Sequence, residues 1–243
     1  MQSLTNISLK TIVQKQVKWK AKLYISALSS LVIVQIIFGV LTSGSGNAST
    51  GHGRGNLNIQ FSIYSIDTFL IVTAVWAFIV ALLFTTKAYR TDDLSVISSR
   101  TSSAIANIIV MIIYSFIAVI IMISTYYLQV VLGISLVEKK SFVIENLFIS
   151  PSTLLLCFSS ICLFGAIGLL LGTSYKGPVI IKIFVSMFML LGLILIFMSP
   201  GSINLLPIIM LSNLMISVIY LLVALLCFSL TIWIADKSEV SRK

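Results

Sequence analysis

Long apolar stretches with almost no charged side chains dominate this chain and decide what it can fold into. Only 9% of its 243 residues are charged, while 58% are hydrophobic. Soluble domains carry roughly 25% charged residues, because polar groups are needed to cover a fold in water. The sequence therefore excludes a soluble fold and predicts a protein whose solvent is largely lipid.

The apolar stretches have the length of membrane-spanning helices. A hydrocarbon core about 30 Å thick is crossed by ~20 helical residues, and six stretches are long enough. We place them at 24–41, 66–86, 104–130, 153–173, 179–198 and 205–235. The last is long enough to be tilted or to begin with a re-entrant segment at 200–207. The prediction is an all-α polytopic membrane protein with six transmembrane helices, forming a single transmembrane domain over 1–243.

The positions of the cations predict the orientation of these spans. With the N-terminus in the cytoplasm, every Lys and Arg lies in or beside a cytoplasmic segment except Arg54, Lys139 and Lys140. Positively charged residues are retained on the cytoplasmic side during insertion. We therefore expect both termini on the cytoplasmic side of the membrane. The outer segment 43–58 is rich in glycine, and we expect it to be flexible.

The N-terminal residues 9–22 have the pattern of an amphipathic helix. Apolar residues fall on one face and lysines on the other, although Gln16 and Lys20 interrupt the apolar face. Such a helix lies in the headgroup plane and binds membrane lipid. The contacting residues would be Lys15, Lys18, Trp19 and Lys22. The alternative is a basic tail that only sets orientation.

The segment between the second and third spans predicts a short helix over 91–100. Thr91 is a suitable N-cap, Asp92 and Asp93 suit the positive end of the helix, and Arg100 suits its C-terminus. Ser102 or Ser103 would then cap the third span. A helix of about two turns is marginal alone, which favours docking on a partner. The alternative is a charged turn that solvates the membrane face.

Several kinds of site are not predicted. There is no Walker A pattern, and the spans lack the mid-membrane carboxylates of ion-coupled transporters. His52 has no second ligand or carboxylate nearby, and the three cysteines fall within spans, so we expect no metal, disulfide or catalytic site. The glycine pattern of the fourth span favours close helix packing, within the chain or across a dimer. Its members are Gly165, Gly168 and Gly172.

Six spans, a basic amphipathic N-terminal helix and a short charged helix after span two together resemble the permease subunits of ABC-2-type ABC transporters, particularly small bacterial ones. The resemblance implies that 9–22 is a connecting helix and that 91–100 is a coupling helix, which docks on a separate ATPase subunit. The implied coupling interface consists of Arg90, Asp92, Asp93, Leu94, Ser95, Ile97 and Arg100.

By this resemblance the chain is a transporter subunit and no enzyme. ATP and Mg²⁺ would bind the ATPase partner, and this chain would hold no cofactor. A second permease subunit, identical or different, would complete the complex, and no nucleic acid is expected. Nearly uncharged spans suit export of a hydrophobic or amphipathic cargo such as a peptide or a lipid. The competing class is a channel-like or scaffold membrane protein without an ATPase partner.

Overall fold

A computed structural model describes residues 9–43, 48–54, 57–64, 66–86, 99–136, 141–144, 149–175 and 212–240. Within these ranges the chain forms six helices and three strands. The helices are α1 (Leu9–Leu23), α2 (Ile25–Ser43), α3 (Asp67–Phe84), α4 (Arg100–Leu136), α5 (Pro151–Ser174) and α6 (Asn213–Val240). The strands are β1 (Ala48–Arg54), β2 (Leu57–Tyr64) and β3 (Ser141–Ile144).

Five of the described helices, α2 to α6, are long and apolar enough to cross a bilayer. The chain is therefore a multi-pass membrane protein with a helical core, as the sequence predicts. The helices α2, α3, α4 and α5 cover the first four predicted spans. The predicted span 179–198 and the segment 200–207 lie outside the described residues, and the described part of the last span begins at Asn213.

Local side-chain bonds fix where two of these helices begin. Ser150 caps α5, since its hydroxyl accepts the N–H of Thr153 at 3.2 Å, and Pro151 occupies the first turn. Ser99 plays the same part for α4 by accepting the N–H of Ser102 at 3.2 Å. The prediction that Ser102 or Ser103 caps this span is wrong, because the cap lies one helical turn earlier.

The helices α2 and α3 run antiparallel and contact each other along most of their length. Gly39 approaches Phe69 at one end, and Gln35 donates a 2.6 Å hydrogen bond to Thr73. At the other end the rings of Tyr24 and Phe84 stack with centroids 4.4 Å apart. Successive spans in this pair therefore alternate in direction.

The helix α4 is parallel to α2 and antiparallel to α3. Phe69 and Phe84, at opposite ends of α3, pack against Tyr126 and Tyr114 of α4 respectively. At 37 residues, α4 is about 55 Å long, far more than the ~30 Å of a hydrocarbon core. A substantial part of α4 therefore extends beyond the apolar layer.

The glycines of α5 allow the close approach of α3 and α4. A Cβ at Gly168 would lie 2.6 Å from the backbone oxygen of Phe78, and one at Gly172 would meet Thr85. A Cβ at Gly165 would collide with Met111 of α4. Since Phe78 and Thr85 follow the same order as Gly168 and Gly172, α5 runs parallel to α3. The close packing of these glycines is within the chain.

A small sheet joins two connections at one end of the bundle. The strands β1 and β2 form an antiparallel hairpin between α2 and α3, and β3, which follows α4, pairs parallel with β2 from Phe61 opposite Ser141 to Tyr64 opposite Ile144. The expectation of a flexible loop over 43–58 is wrong, because residues 48–54 pair along their length with β2. The sheet also adds β structure that the all-α prediction did not contain.

Candidate functional site

The end of the bundle opposite the sheet carries the main polar cluster of the described residues. Here α3 ends at Phe84, α4 begins at Arg100, and α1 packs along the first turns of α4. We call this region the basic end, because α1 contributes five lysines to it. The segment 87–98 connects α3 to α4 and therefore starts and finishes at this end.

Lys20 is the centre of the cluster. Its side chain is fully buried, and its ammonium donates hydrogen bonds to Asn107 Oδ1 at 2.6 Å and to the Ser103 hydroxyl at 2.9 Å. A third, longer bond reaches the Ser103 carbonyl at 3.3 Å. We name Lys20, Ser103 and Asn107 the Lys20 cluster. It fixes α1 to the second turn of α4.

In the Lys20 cluster, the free-energy cost of burying the ammonium is opposed by its hydrogen bonds. Burying an ammonium costs free energy unless hydrogen bonds replace its hydration, and a cation near a helix N-terminus faces the positive end of the helix dipole. Charge-assisted bonds to three oxygens offset these costs, since bonds to an ionised donor are about twice as strong as neutral ones. The cluster therefore holds only while α1 and α4 keep their relative position.

Aromatic packing continues the contact between α1 and the bundle. The hydroxyl of Tyr114 donates a 3.0 Å hydrogen bond to the carbonyl of Ala21. The Tyr114 ring packs against Phe84, 6.1 Å between centroids, and Phe84 stacks on Tyr24. Thus the end of α1, the end of α3 and the middle of α4 meet in one buried group.

A second set of polar bonds lies deeper among the spans. Gln35 of α2 donates to Thr73 and accepts from Thr125 of α4 at 2.8 Å, and all three side chains are buried. Farther along, Gln129 donates to Thr42 at 2.6 Å. Gln35, Asn107 and Tyr114 thus all hydrogen-bond between helices. These bonds join the helices of the bundle to one another.

The predicted lipid-contacting residues lie on the outer side of α1. Lys15, Lys18 and Lys22 are exposed and Trp19 is half-buried. The opposite side of α1, containing Val13, Gln16 and Lys20, is buried against the bundle. The helix α1 is thus a packed element as well as a basic surface.

The predicted coupling residues fall mostly outside the described part of the chain. This applies to Arg90, Asp92, Asp93, Leu94, Ser95 and Ile97. Arg100 is described, and it is the first residue of α4. Its assignment to the C-terminus of a separate helix is therefore wrong, because the Ser99 cap starts α4 immediately before it.

The burial of Lys20 was not predicted from the sequence. Gln16 and Lys20 look like interruptions of an apolar face, yet both are buried on it, and Lys20 makes polar contacts with α4. A signal for this was present: Gln16 and Lys20 are four residues apart, as are Ser103 and Asn107, and residues at this spacing share one side of a helix. Two helices with matching polar pairs can meet along those pairs.

The described residues contain no group of His, Cys, Asp and Glu that could hold a metal ion. Comparison with known protein families, with curated proteins and with solved structures finds no match for this chain. The features of the chain that bear on its function are therefore the geometry of the basic end and the sequence of the segment 87–98.

Proposed function

We propose that this chain is the permease subunit of an ABC-2-type ABC exporter, driven by ATPase subunits that bind the segment 91–100 at the cytoplasmic membrane. Six spans with both termini inside, and a second permease subunit, complete the proposal. The cargo is hydrophobic or amphipathic, a peptide or a lipid.

The Lys20 cluster is the observation that carries this proposal. The segment 91–100 leads directly into α4, and α4 is bound within its first two turns to α1 through Ser103 and Asn107. A force applied to this segment would therefore move α4 and α1 together. Because α4 is a single helix of 37 residues, the displacement would continue through the bundle as a rigid-body motion.

The distribution of charge supports the proposed orientation. The basic end contains the lysines of α1 and Arg100, and Lys87 and Arg90 follow α3 in the sequence. Arg54 ends β1 of the sheet, and Lys139 and Lys140 stand between α4 and β3 in the sequence. The positive-inside rule assigns the richer end to the cytoplasm. This is the side on which ATP is available to a partner.

The proposal is tested by site-specific cross-linking. A tagged full-length chain carrying a photoreactive amino acid at position 94 is expressed in its own host, irradiated and purified. We expect a cross-link to a protein that hydrolyses ATP. In the complex reconstituted in liposomes, Leu94→Asp and Ile97→Asp should abolish both the cross-link and the stimulation of ATPase activity by the permease.

The matched control is Leu147→Asp, the same chemical change in the connection at the opposite end of the bundle. It should leave the cross-link and ATPase stimulation intact. If Leu94→Asp behaves like Leu147→Asp and the chain alone conducts ions across liposomes, the channel-like alternative replaces the exporter proposal. ATPase activity stimulated only by small hydrophilic solutes would overturn the assignment of a hydrophobic cargo.

A further inference from the structure

A groove of about 450 Å³ lies between α2 and α3 on the lipid-facing side of the bundle. Its walls are mostly apolar, and the wall residues Ile71, Val75 and Ile79 are half to two thirds exposed. Trp76 forms part of its lining, with the indole N–H donated to Ala27 O at 3.1 Å and to the Ser30 hydroxyl at 3.2 Å. The groove is therefore open to the bilayer along its side.

The length of the groove corresponds to one leaflet. One wall extends from Tyr24, just before α2, to Val34, and the other from Ile71 to Phe84 on α3, which is about 15 Å and about 20 Å of helix respectively. Half of a hydrocarbon core ~30 Å thick is ~15 Å, close to the length of the groove. The groove begins at the stacked rings of Tyr24 and Phe84, so it opens from the basic end and reaches the middle of the membrane.

The mouth of the groove is positively charged. Lys18 and Lys22 are exposed on α1, and Lys22 lies one helical turn before Ser26 of the groove lining. Backbone bonds from Tyr24 N–H to Lys20 O and from Ala27 N–H to Tyr24 O, each 2.9 Å, keep the chain helical in character through the junction of α1 and α2. Lys18 and Lys22 therefore come just before the lining residues in the chain, at the end of an apolar groove that is about one leaflet long.

We infer that this groove binds a phospholipid with an anionic headgroup, with one acyl chain between α2 and α3 and the phosphate at Lys18 and Lys22. A transmembrane helix ~10 Å wide is the competing occupant, but an apolar helix has no anionic group for the exposed lysines. An acyl chain is narrower and matches the apolar walls, and an anionic phosphate matches the lysines. This site does not depend on the exporter proposal.

Photoaffinity labelling tests the site in the full-length chain. The probe is phosphatidylglycerol with a diazirine on one acyl chain, added to phosphatidylcholine liposomes that contain the protein. Phosphatidylcholine with the same diazirine is the reference probe. We expect labels on α2 and α3 groove peptides, with phosphatidylglycerol exceeding phosphatidylcholine by roughly thirtyfold because of the two surface lysines.

Two variants separate the headgroup from the acyl chain. Replacing both Lys18 and Lys22 by Gln should reduce phosphatidylglycerol labelling to the phosphatidylcholine level, while the double change of the exposed Lys10 and Lys237 to Gln should preserve the preference. Val75→Trp should block the groove and remove labelling by both probes. Leu222→Trp, on the exposed face of α6, should leave groove labelling unchanged.

Three results would overturn the inference. One is equal labelling of the groove and of α6, which would mean ordinary annular lipid. Another is an unchanged phosphatidylglycerol preference after loss of Lys18 and Lys22. The third is efficient disulfide formation between two copies of Val75→Cys, which would identify a second chain as the occupant. Size-exclusion chromatography and a thermal melt of Val75→Trp distinguish a blocked groove from a misfolded protein.

Discussion

The ammonium of Lys20 lies 2.6 Å from Oδ1 of Asn107, a residue 87 positions later in the chain. This bond fixes α1 to the start of α4, the longest of the described helices. It makes α1 part of the bundle, although its other side carries exposed lysines. The same helix therefore faces both the protein core and its surroundings.

Loss of Lys20 should weaken the fold. Lys20→Ala leaves Asn107 and Ser103 without their buried donor, and we expect a loss of about 1.5–3 kcal/mol in the free energy of unfolding, the range for bonds to charged groups. Unfolding in mixed detergent micelles measures the change. Lys15→Ala, at an exposed position, should stay within about 0.5 kcal/mol.

A double-mutant cycle tests whether this loss reflects the specific pair. Lys20→Ala and Asn107→Ala should be coupled rather than additive, with an interaction energy of about 0.5–3 kcal/mol as for residues in one hydrogen-bonded network. Additive effects would mean that Lys20 is held chiefly by other groups.

The bonds of Gln35 should give a smaller effect. Gln35→Leu removes the bonds to Thr73 and Thr125, and interhelical hydrogen bonds in membrane proteins average about 0.6 kcal/mol with a maximum near 1.7. We expect destabilisation in that range by the same unfolding measurement. Ser124→Ala is the control, since its hydroxyl bonds only to Ile120 O of its own helix among the contacts described.

Gly168 should not tolerate a side chain. In Gly168→Ala the added methyl group would meet the backbone oxygen of Phe78 at 2.6 Å, and backbone cannot rotate away as a side chain can. We expect destabilisation of about 1–3 kcal/mol, as for overpacked cores. Gly39→Ala provides the contrast, because its nearest contact would be an ordinary 3.7 Å to Phe69. Equal melting temperatures for the two variants would contradict the packing of α3 on α5.

Cysteines introduced at the two ends of the bundle should react with a thiol reagent from opposite sides of the membrane. In a background without native cysteines, Thr50→Cys in β1 and Lys15→Cys in α1 mark the sheet end and the basic end respectively. A membrane-impermeant thiol reagent added to intact cells should label Thr50→Cys, and should label Lys15→Cys only after lysis. Labelling of Lys15→Cys in intact cells would reverse the proposed orientation.

Much of the helical fold follows from local sequence. Uncharged stretches of sufficient length predict α2, α3 and α5 to within a few residues, because each span must satisfy its own backbone hydrogen bonds in lipid. The early start of α4 was missed because apolarity marks the membrane layer, whereas Ser99 starts the helix outside it. Apolar composition therefore indicates which residues lie in the bilayer, but it does not indicate where a helix begins outside the bilayer.

The sheet and the Lys20 cluster depend on partners far away in the chain. Leu57, Ile59, Phe61 and Ile63 do alternate with polar residues, a strand pattern that glycine content obscured. No comparable signal exists for β3, since four residues become a strand only when β2 is beside them. The burial of Lys20 likewise requires the Ser103 and Asn107 acceptors, which lie on another helix more than 80 residues later in the chain.

The parallel pairing of β2 with β3 also orders events during membrane insertion. The β1–β2 hairpin leaves the membrane after α2, but its third strand reaches the same face only once α4 has crossed. Completion of the sheet therefore waits for the third span, and a chain with α4 inserted in reverse would hold β2 and β3 on opposite faces. The complete sheet can therefore form only in chains whose helices α2, α3 and α4 have inserted in the correct direction.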